Sequence, residues 1–169
     1  MPAVARSTVD DEIDFESLYR TSRDDLYAYV AGMVRDQAAA EEVTAAAFER
    51  ALRRRSSYSA SRGSPRAWLF GIARNAAYDE LRRRGRTEPV ADPEERLPPG
   101  GDATADVAVR RAALATALAT LSQDERELVA LKFEAGLANA EIGTVLGISE
   151  TNVGTRLSRA VAKLRTAMG

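Results

Sequence analysis

Apolar residues recur every three or four positions along most of this chain, a spacing that predicts amphipathic helices rather than strands. The first helical region runs from about residue 13 to 33, and Ser22 with Asp25 resembles an internal capping signal that leaves room for a bend. A second helix is predicted over roughly 38–54 and a third over 64–86. Because each helix has an apolar stripe to bury, the three are predicted to form a compact bundle.

The third helix has the clearest signals in the sequence. Ser64 suits the N-cap position, Pro65 suits the first helical position, and Gly85 is expected to end the helix. Its inward stripe comprises Trp68, Leu69, Ile72, Ala73, Ala76 and Leu81. Largely outside the stripe lie one amide and five guanidinium groups: Arg66, Arg74, Asn75, Arg82, Arg83 and Arg84. Such a face suits a polyanion, although a solvated amphipathic helix would show the same pattern.

The helical pattern stops between residues 87 and 105. This stretch, TEPVADPEERLPPGGDATA, holds four prolines, two adjacent glycines and several acidic residues, which predicts a flexible acidic linker. Fully extended, its length corresponds to about 60–65 Å. The sequence therefore predicts an all-α protein with two small helical domains, 12–86 and 106–169, joined by this linker.

Two helices are predicted at the start of the second domain. The first has an apolar stripe made of Val107, Leu114, Leu118 and Leu121. Ser122 and Glu125 have the spacing of a capping box, so they predict the start of the next helix. That helix runs to about Glu134 with Phe133 among its inward residues, and Gly136 closes it.

The segment 139–165, NAEIGTVLGISETNVGTRLSRAVAKLR, predicts a helix-turn-helix. Gly147 marks the sharp turn, Ser149 caps the second helix, and Gly143 lies where the two helices cross closely. The outward face of the second helix carries hydrogen-bonding and cationic groups suited to base edges and phosphates: Thr151, Asn152, Thr155, Arg156, Ser158, Arg159 and Lys163. An ordinary αα-hairpin is the structural alternative.

Charge is strongly segregated along the chain, although the net charge is only −1. Residues 50–86 carry 11 basic and 2 acidic side chains, for +9, whereas residues 1–49 sum to −7. Residues 87–109 sum to −5 and residues 110–169 to +2. A basic block of this density indicates a nucleic-acid partner. The acidic remainder predicts weak binding to duplex DNA by the chain alone, because non-specific affinity comes from neutralised phosphates.

The composition argues against most catalytic chemistry. The chain has no cysteine and no histidine, which excludes disulfides, thiolate or imidazole metal sites, and nucleophile–histidine catalysis. Asp10, Asp11, Asp14 and Glu16 could gather around Mg²⁺, but no phosphate loop or base accompanies them. We therefore predict no catalytic residue, no metal site and no cofactor. No apolar stretch suits a signal peptide or a membrane span, which predicts a cytoplasmic protein without membrane insertion.

Taken together, these segments resemble a bacterial sigma factor of the extracytoplasmic-function group, in the sigma-70-like family, with region 2 and region 4 domains only. DFESLYRTSRDDLYAYV resembles the start of region 2, and AEEVTAAAFERAL resembles the segment that grips the polymerase clamp. SPRAWLFGIARNAAYDELRRRGR resembles the helix that melts and reads the minus-ten element. The segment from ALATLSQDERELV to SRAVAKLR is similar to region 4, which reads the minus-thirty-five element.

The resemblance implies core RNA polymerase, promoter DNA (duplex and melted non-template strand) and an anti-sigma protein as partners. The implied minus-ten contacts are Tyr58, Arg62, Arg66, Arg74, Asn75, Arg82, Arg83 and Arg84, with Tyr58 placed to capture a flipped base. The implied polymerase contacts are Glu41, Glu42, Phe48 and Glu49. The chain departs from the family pattern at Ala45–Ala47 and at Gly154. A helix-turn-helix regulator that binds duplex DNA without polymerase is the alternative function.

Overall fold

The computed structural model describes residues 13–87 and 104–169, and every regular element in these two ranges is helical. The α-helices are α1 (Phe15–Val34), α2 (Gln37–Arg53), α3 (Pro65–Thr87), α4 (Ala105–Ala119), α5 (Gln123–Val129), α6 (Asn139–Leu146) and α7 (Glu150–Met168). Two short 3₁₀ turns, Arg55–Ser57 and Ala60–Arg62, link α2 to α3, and a π-helical turn, Ala130–Glu134, follows α5. The predicted all-α class is confirmed, whereas the predicted linker lies almost wholly outside the described residues.

Helices α1, α2 and α3 pack against one another as the predicted bundle. Each of the three begins with a side chain that accepts a hydrogen bond from a backbone N–H three residues on. The accepting residues are Asp14, Asp36 and Ser64, so the predicted N-cap of α3 is confirmed. Phe70 is fully buried beside Leu69, although the predicted stripe of α3 did not include it.

Two predictions within this bundle are wrong. Helix α1 is continuous through Ser22, because the Ser22 hydroxyl is fully buried and accepts a hydrogen bond from Arg66 instead of capping a new helix. Helix α3 does not end at Gly85 but continues to Thr87. The positive-φ residues among those described do not include Gly85, so this glycine remains in right-handed helical geometry.

The second set of helices contains the predicted capping box and one unpredicted turn. Ser122 accepts a hydrogen bond from the Glu125 N–H at 3.2 Å, which confirms the start of α5. The Ala135 N–H then reaches back five residues to the Ala130 carbonyl, the hydrogen bond that defines a π turn. This wider turn changes the angular spacing of side chains, and Phe133 is 64% exposed rather than inward as predicted.

Helices α6 and α7 form the predicted helix-turn-helix. Gly147 has φ +71°, the left-handed conformation that a sharp turn requires, and Ser149 accepts from the Asn152 N–H at 3.1 Å. A Cβ atom on Gly143 would lie 2.6 Å from the Ile148 carbonyl oxygen, so the two helices cross too closely for a side chain there. Within the described part of the chain, no helix combines the length and the apolar character needed to cross a membrane.

The two sets of helices are in direct contact. Helix α6 lies against α3, and the π turn lies against α1. The Ser64 hydroxyl donates to Glu141 of α6 at 2.6 Å, which ties the N-terminus of α3 to the helix-turn-helix. A Cβ atom on Gly63 would lie 2.9 Å from the Thr144 side chain, so the approach is close at this point. We refer to the contact between these sets as the seam.

We predict that Gly143→Ala destabilises the chain by about 1–3 kcal/mol, because the added methyl group must push the Ile148 carbonyl aside. Urea unfolding followed by circular dichroism measures this change. Gly154→Ala is the matched control in α7, where the nearest atom to a new Cβ is a side-chain nitrogen at 3.8 Å. The control is expected to be neutral or to gain up to about 1 kcal/mol. Equal loss of stability in both variants would contradict the close crossing.

Candidate nucleic-acid interface

The basic face of α3 is paired with carboxylates rather than left bare. Near its end, Arg82 contacts Asp79 at 3.0 Å and Arg83 contacts Glu80 at 2.7 Å, and both guanidinium groups remain mostly exposed. Arg84 is largely buried between Glu80, the N-cap residue Asp36 of α2 and the Val34 carbonyl. The hydrogen bond to Arg83, with burial opposing it, lowers the pKa of Glu80, so this carboxylate stays charged. Arg82 and Arg83 are thus accessible to phosphate, whereas Arg84 holds α3 to its neighbours.

Arg74 lies at the seam and pairs with Glu127 of α5. The Arg74 Nε atom donates to Glu127 Oε1 at 2.6 Å, and the Tyr29 hydroxyl donates to the same oxygen at 2.8 Å. The Tyr78 hydroxyl donates to Oε2 at 2.9 Å. The Glu127 side chain is 5% exposed and that of Arg74 is 29% exposed, so most of this group is closed to solvent. Three donors from the first domain therefore surround one carboxylate of the second.

The protonation of these donors follows from their surroundings. Burial, and then the negative charge of Glu127, raises the pKa of Tyr29 far above its usual range. Burial and the hydrogen bond to Glu127 also raise the pKa of Tyr78. For Arg74, burial acts to lower the pKa, but its hydrogen bond and charge interaction with Glu127 outweigh burial and the pKa rises. Both tyrosines therefore remain neutral donors and Arg74 remains a cation.

Arg66 makes a second set of contacts across the seam. Its guanidinium donates to Asp25 at 2.6 Å and to the Ser22 hydroxyl at 3.1 Å, both on α1. It also donates to the carbonyl of Ala135, directly after the π turn, and stacks 5.2 Å from the centroid of the Phe70 ring. The predicted minus-ten residue Arg66 is therefore a structural link in this arrangement.

The remaining predicted minus-ten residues differ in exposure. Arg62 and Asn75 are exposed. Tyr58, predicted to capture a flipped base, is buried, with its hydroxyl donating to the Gly63 carbonyl at 2.9 Å. Its ring meets the edge of Trp68 at a centroid distance of 5.7 Å. A base can stack on Tyr58 only after this contact opens.

The outward face of α7 is accessible along its length. Most of the predicted minus-thirty-five residues are exposed: Thr151, Thr155, Arg156, Ser158, Arg159 and Lys163. Asn152 is half-buried and accepts a hydrogen bond from Arg156 Nε at 3.0 Å, which orients the guanidinium. Lys163 donates to Glu125 at 2.8 Å, and this hydrogen bond is the main reason that the pKa of Glu125 is lowered.

One cleft at the seam brings the two predicted DNA-binding sets together. It has a volume of about 500 Å³, and its lining includes Arg74 from α3 and Arg156, Arg159 and Lys163 from α7. Carboxylates of α5, among them Glu127, complete the wall. The cleft thus mixes basic groups from both sets with acidic groups that pair with some of them.

The predicted polymerase contacts lie on α2. Glu41, Glu42 and Glu49 are exposed, and so are Ala45 and Ala46 between them. The fourth predicted contact, Phe48, is buried and packs edge-on against the rings of Tyr19 and Phe15 at centroid distances of 4.8 and 6.4 Å. This packing holds α2 against α1, with the three carboxylates on its exposed surface.

Three residues of the seam were absent from the predicted sites: Tyr29, Tyr78 and Glu127. Tyr78 stands one helical turn beyond Arg74, and Glu127 directly precedes Leu128 and Val129 in a run of inward residues. The spacing between Tyr78 and Arg74 was a usable signal for a shared site on α3. The partnership with Glu127 had no local signal, because 53 residues separate it from Arg74.

Family models match both predicted domains of the chain, and similar proteins match most of its length. Residues 18–87 match the family described as Sigma-70 region 2, and residues 111–164 match Sigma-70, region 4. RNA polymerase sigma factor CarQ of Myxococcus xanthus is 35% identical over 158 residues, covering 92% of this chain and 89% of that protein. ECF RNA polymerase sigma factor SigL of Mycobacterium tuberculosis is 34% identical over 149 residues, covering 85% of this chain and 82% of that protein.

Solved structures share the fold. The sigma factor RpoE of Bartonella quintana, in complex with the anti-sigma factor NepR, has a TM-score of 0.72 at 24% identity, over 92% of this chain and 96% of that one. CnrH, in complex with the cytosolic domain of CnrY, has a TM-score of 0.65 at 24% identity, over 90% of this chain and 85% of that one. With both sigma regions matched, and with relatives at 35% and 34% identity over most of their length, the chain belongs to the extracytoplasmic-function group of sigma-70-like RNA polymerase sigma factors.

Proposed function

We propose that this protein binds core RNA polymerase and directs promoter-specific transcription initiation. In this proposal the first domain reads and melts the minus-ten element, and the helix-turn-helix reads the minus-thirty-five element. The observation that carries it is the presence, in one chain, of a region 2 bundle with a basic α3 and a region 4 helix-turn-helix with an accessible α7. The domain limits that we propose are 12–86 and 106–169, with 87–105 as the linker.

The geometry of α7 supports major-groove recognition. Val153 and Leu157 are buried, so they hold the helix on its domain with the opposite face outward. Arg156 projects from that face and is already oriented by Asn152. An arginine that is held in place can donate two hydrogen bonds to the O6 and N7 atoms of guanine. Arg159, Thr155 and Lys163 supply further contacts to bases and phosphates.

The geometry of α3 supports binding of a melted strand. Arg82 and Arg83 are mostly exposed, and their carboxylate partners lie only three residues away on the same helix. The Arg82–Asp79 pair is exposed on both sides and is therefore worth little, so a phosphate can displace Asp79 at small cost. Glu80 is largely enclosed, so a phosphate contacts the exposed part of Arg83 while this pair stays in place. Tyr58 takes a flipped base once it leaves Gly63, since stacking on an aromatic ring contributes about 1–3 kcal/mol per base.

The exposed carboxylates of α2 support docking on polymerase. Glu42 and Glu49 are seven residues apart, so they lie near one face of the helix with Ala45 and Ala46 between them. We assign this face to a basic surface of the core enzyme. Docking there holds both domains near the promoter and raises their effective concentration at DNA. The protein then acts in the cytoplasm as a non-catalytic subunit, and an anti-sigma protein restrains it.

The proposed function predicts that adding the purified chain to core polymerase produces initiation from specific genomic fragments. Run-off transcription followed by sequencing of the transcript 5′ ends measures it. Upstream sequences aligned on these starts are expected to share two elements about two duplex turns apart, roughly 70 Å. A gel shift without polymerase is the control, and weak duplex binding is expected there. Tight binding to one duplex site without polymerase, together with no initiation, would instead identify a stand-alone regulator.

Arg156→Ala is predicted to weaken recognition of the upstream element. Loss of one bidentate base contact costs about 1–3 kcal/mol, which corresponds to roughly a 5- to 150-fold lower activity at promoters that depend on that element. Arg165→Ala removes the same charge from an exposed position near the end of α7 and serves as the control. The control is expected to weaken binding uniformly across sequences and to leave promoter choice intact. Identical behaviour of the two variants would remove Arg156 from base recognition.

A further inference from the structure

We infer that Arg74, Tyr29 and Tyr78 form a binding site for one backbone phosphate of the melted DNA strand, and that Glu127 fills this site while the two domains are in contact. We call these three donors the anion site. The inference rests on the proposed function, because it takes the melted strand from there. It adds two tyrosines to the DNA-binding surface and assigns a competing role to one carboxylate of the second domain.

The donors converge on the two oxygens of a single carboxylate. Glu127 Oε1 accepts from Arg74 at 2.6 Å and from Tyr29 at 2.8 Å, while Oε2 accepts from Tyr78 at 2.9 Å. A phosphodiester presents two charged oxygens in the same way as a carboxylate, and both accept the fork of an arginine. Glu127 therefore marks where the anion lies and which atoms contact it.

The position of the anion site on α3 favours DNA as its occupant. Asn75, beside Arg74, is exposed, and Arg82 and Arg83 lie farther along the same helix. Eight residues of helix separate Arg74 from Arg82, a rise of about 12 Å, so a strand that follows α3 passes these positions in sequence. The anion site extends the row of exposed cations on α3 to the seam.

The contact between domains and the binding of a strand compete for the anion site. Arg74 lines the same 500 Å³ cleft as Arg156 and Arg159 of α7. The two promoter elements lie about two duplex turns apart, roughly 70 Å. The two domains therefore cannot read their elements at the same time while they share one cleft. The domains must separate, and Glu127 must then leave Arg74. A phosphate that enters the anion site then replaces Glu127 as the acceptor for Arg74 and both tyrosines.

The test uses the full chain and the binding of a short fluorescein-labelled oligothymidylate, followed by fluorescence anisotropy at several salt concentrations. Glu127→Gln is expected to raise affinity about tenfold, since it weakens the competing occupant. The slope of log K against log salt is expected to steepen by about 0.7, the value for one more phosphate contact on a single strand. Asp124→Asn removes the same charge from the same cleft and is expected to leave both quantities near the wild-type values.

Tyr78→Phe tests whether the phosphate binds at the anion site. Combined with Glu127→Gln, it is expected to remove most of the gain in affinity, because the phosphate loses one donor. Alone, it removes the same donor from Glu127 and from the phosphate, so its effect on affinity is expected to be smaller than in the Glu127→Gln background. The phenylalanine ring keeps the stacking on Arg74, and circular dichroism with thermal unfolding verifies that each variant is folded.

Three results would overturn the inference. Equal affinity of Glu127→Gln and Asp124→Asn would show that only net charge matters. An unchanged gain in the double variant would place the phosphate elsewhere. Weaker binding of the double variant to core polymerase, with oligothymidylate binding intact, would assign the anion site to an acidic side chain of polymerase. Wild-type initiation with core polymerase is measured in parallel, so the anion site can fail while the proposed function stands.

Discussion

A carboxylate that is almost fully enclosed must be paired, and this requirement governs how the two halves of the protein meet. Glu127 satisfies it with a guanidinium and two hydroxyl groups, all from the opposite domain. Replacing a buried ion pair by apolar residues is often neutral or stabilising, so such a pair is weak evidence for overall stability. Removing a single partner is costly, about 3–5 kcal/mol, because a charge is left uncompensated. The pairing therefore specifies which surfaces meet more than it adds to the free energy of folding.

Four of the arginines of α3 fall into two groups with different energetics. Arg82 and Arg83 pair with residues of their own helix and remain mostly exposed. Because Asp79 is exposed as well, its ion pair with Arg82 is worth at most about 1 kcal/mol. Arg66 and Arg84 are largely enclosed and reach carbonyl groups on other elements. The sequence presents all of them as one basic face. The fold divides this face into groups that stay accessible and groups that hold the bundle together.

Local signals in the sequence account for the helices and for the helix-turn-helix. Ser64 and Ser149 cap the helices that they were predicted to cap, and Gly143 lies at the predicted close crossing. The incorrect predictions occur where a residue distant in the sequence determines the local structure. Arg66, 44 residues away, occupies the Ser22 hydroxyl, and the π turn shifts Phe133 to the surface. The contacts at the seam were not predicted for the same reason. The spacing of residues within α3 or α5 does not indicate which charged residues will meet.

The π turn between α5 and α6 makes the orientation of the following helices depend on the number of residues in the turn. A π turn closes its hydrogen bond over five residues rather than four, so it holds one residue more than the α-helical turn it replaces. One residue of α-helix corresponds to a rotation of about 100°. The direction that α7 takes from the first domain is thus set by the residue count of Ala130–Glu134 as well as by side-chain chemistry. Insertion or deletion of one residue in this turn would rotate every helix that follows, whereas a substitution at an exposed position such as Phe133 would leave that orientation in place.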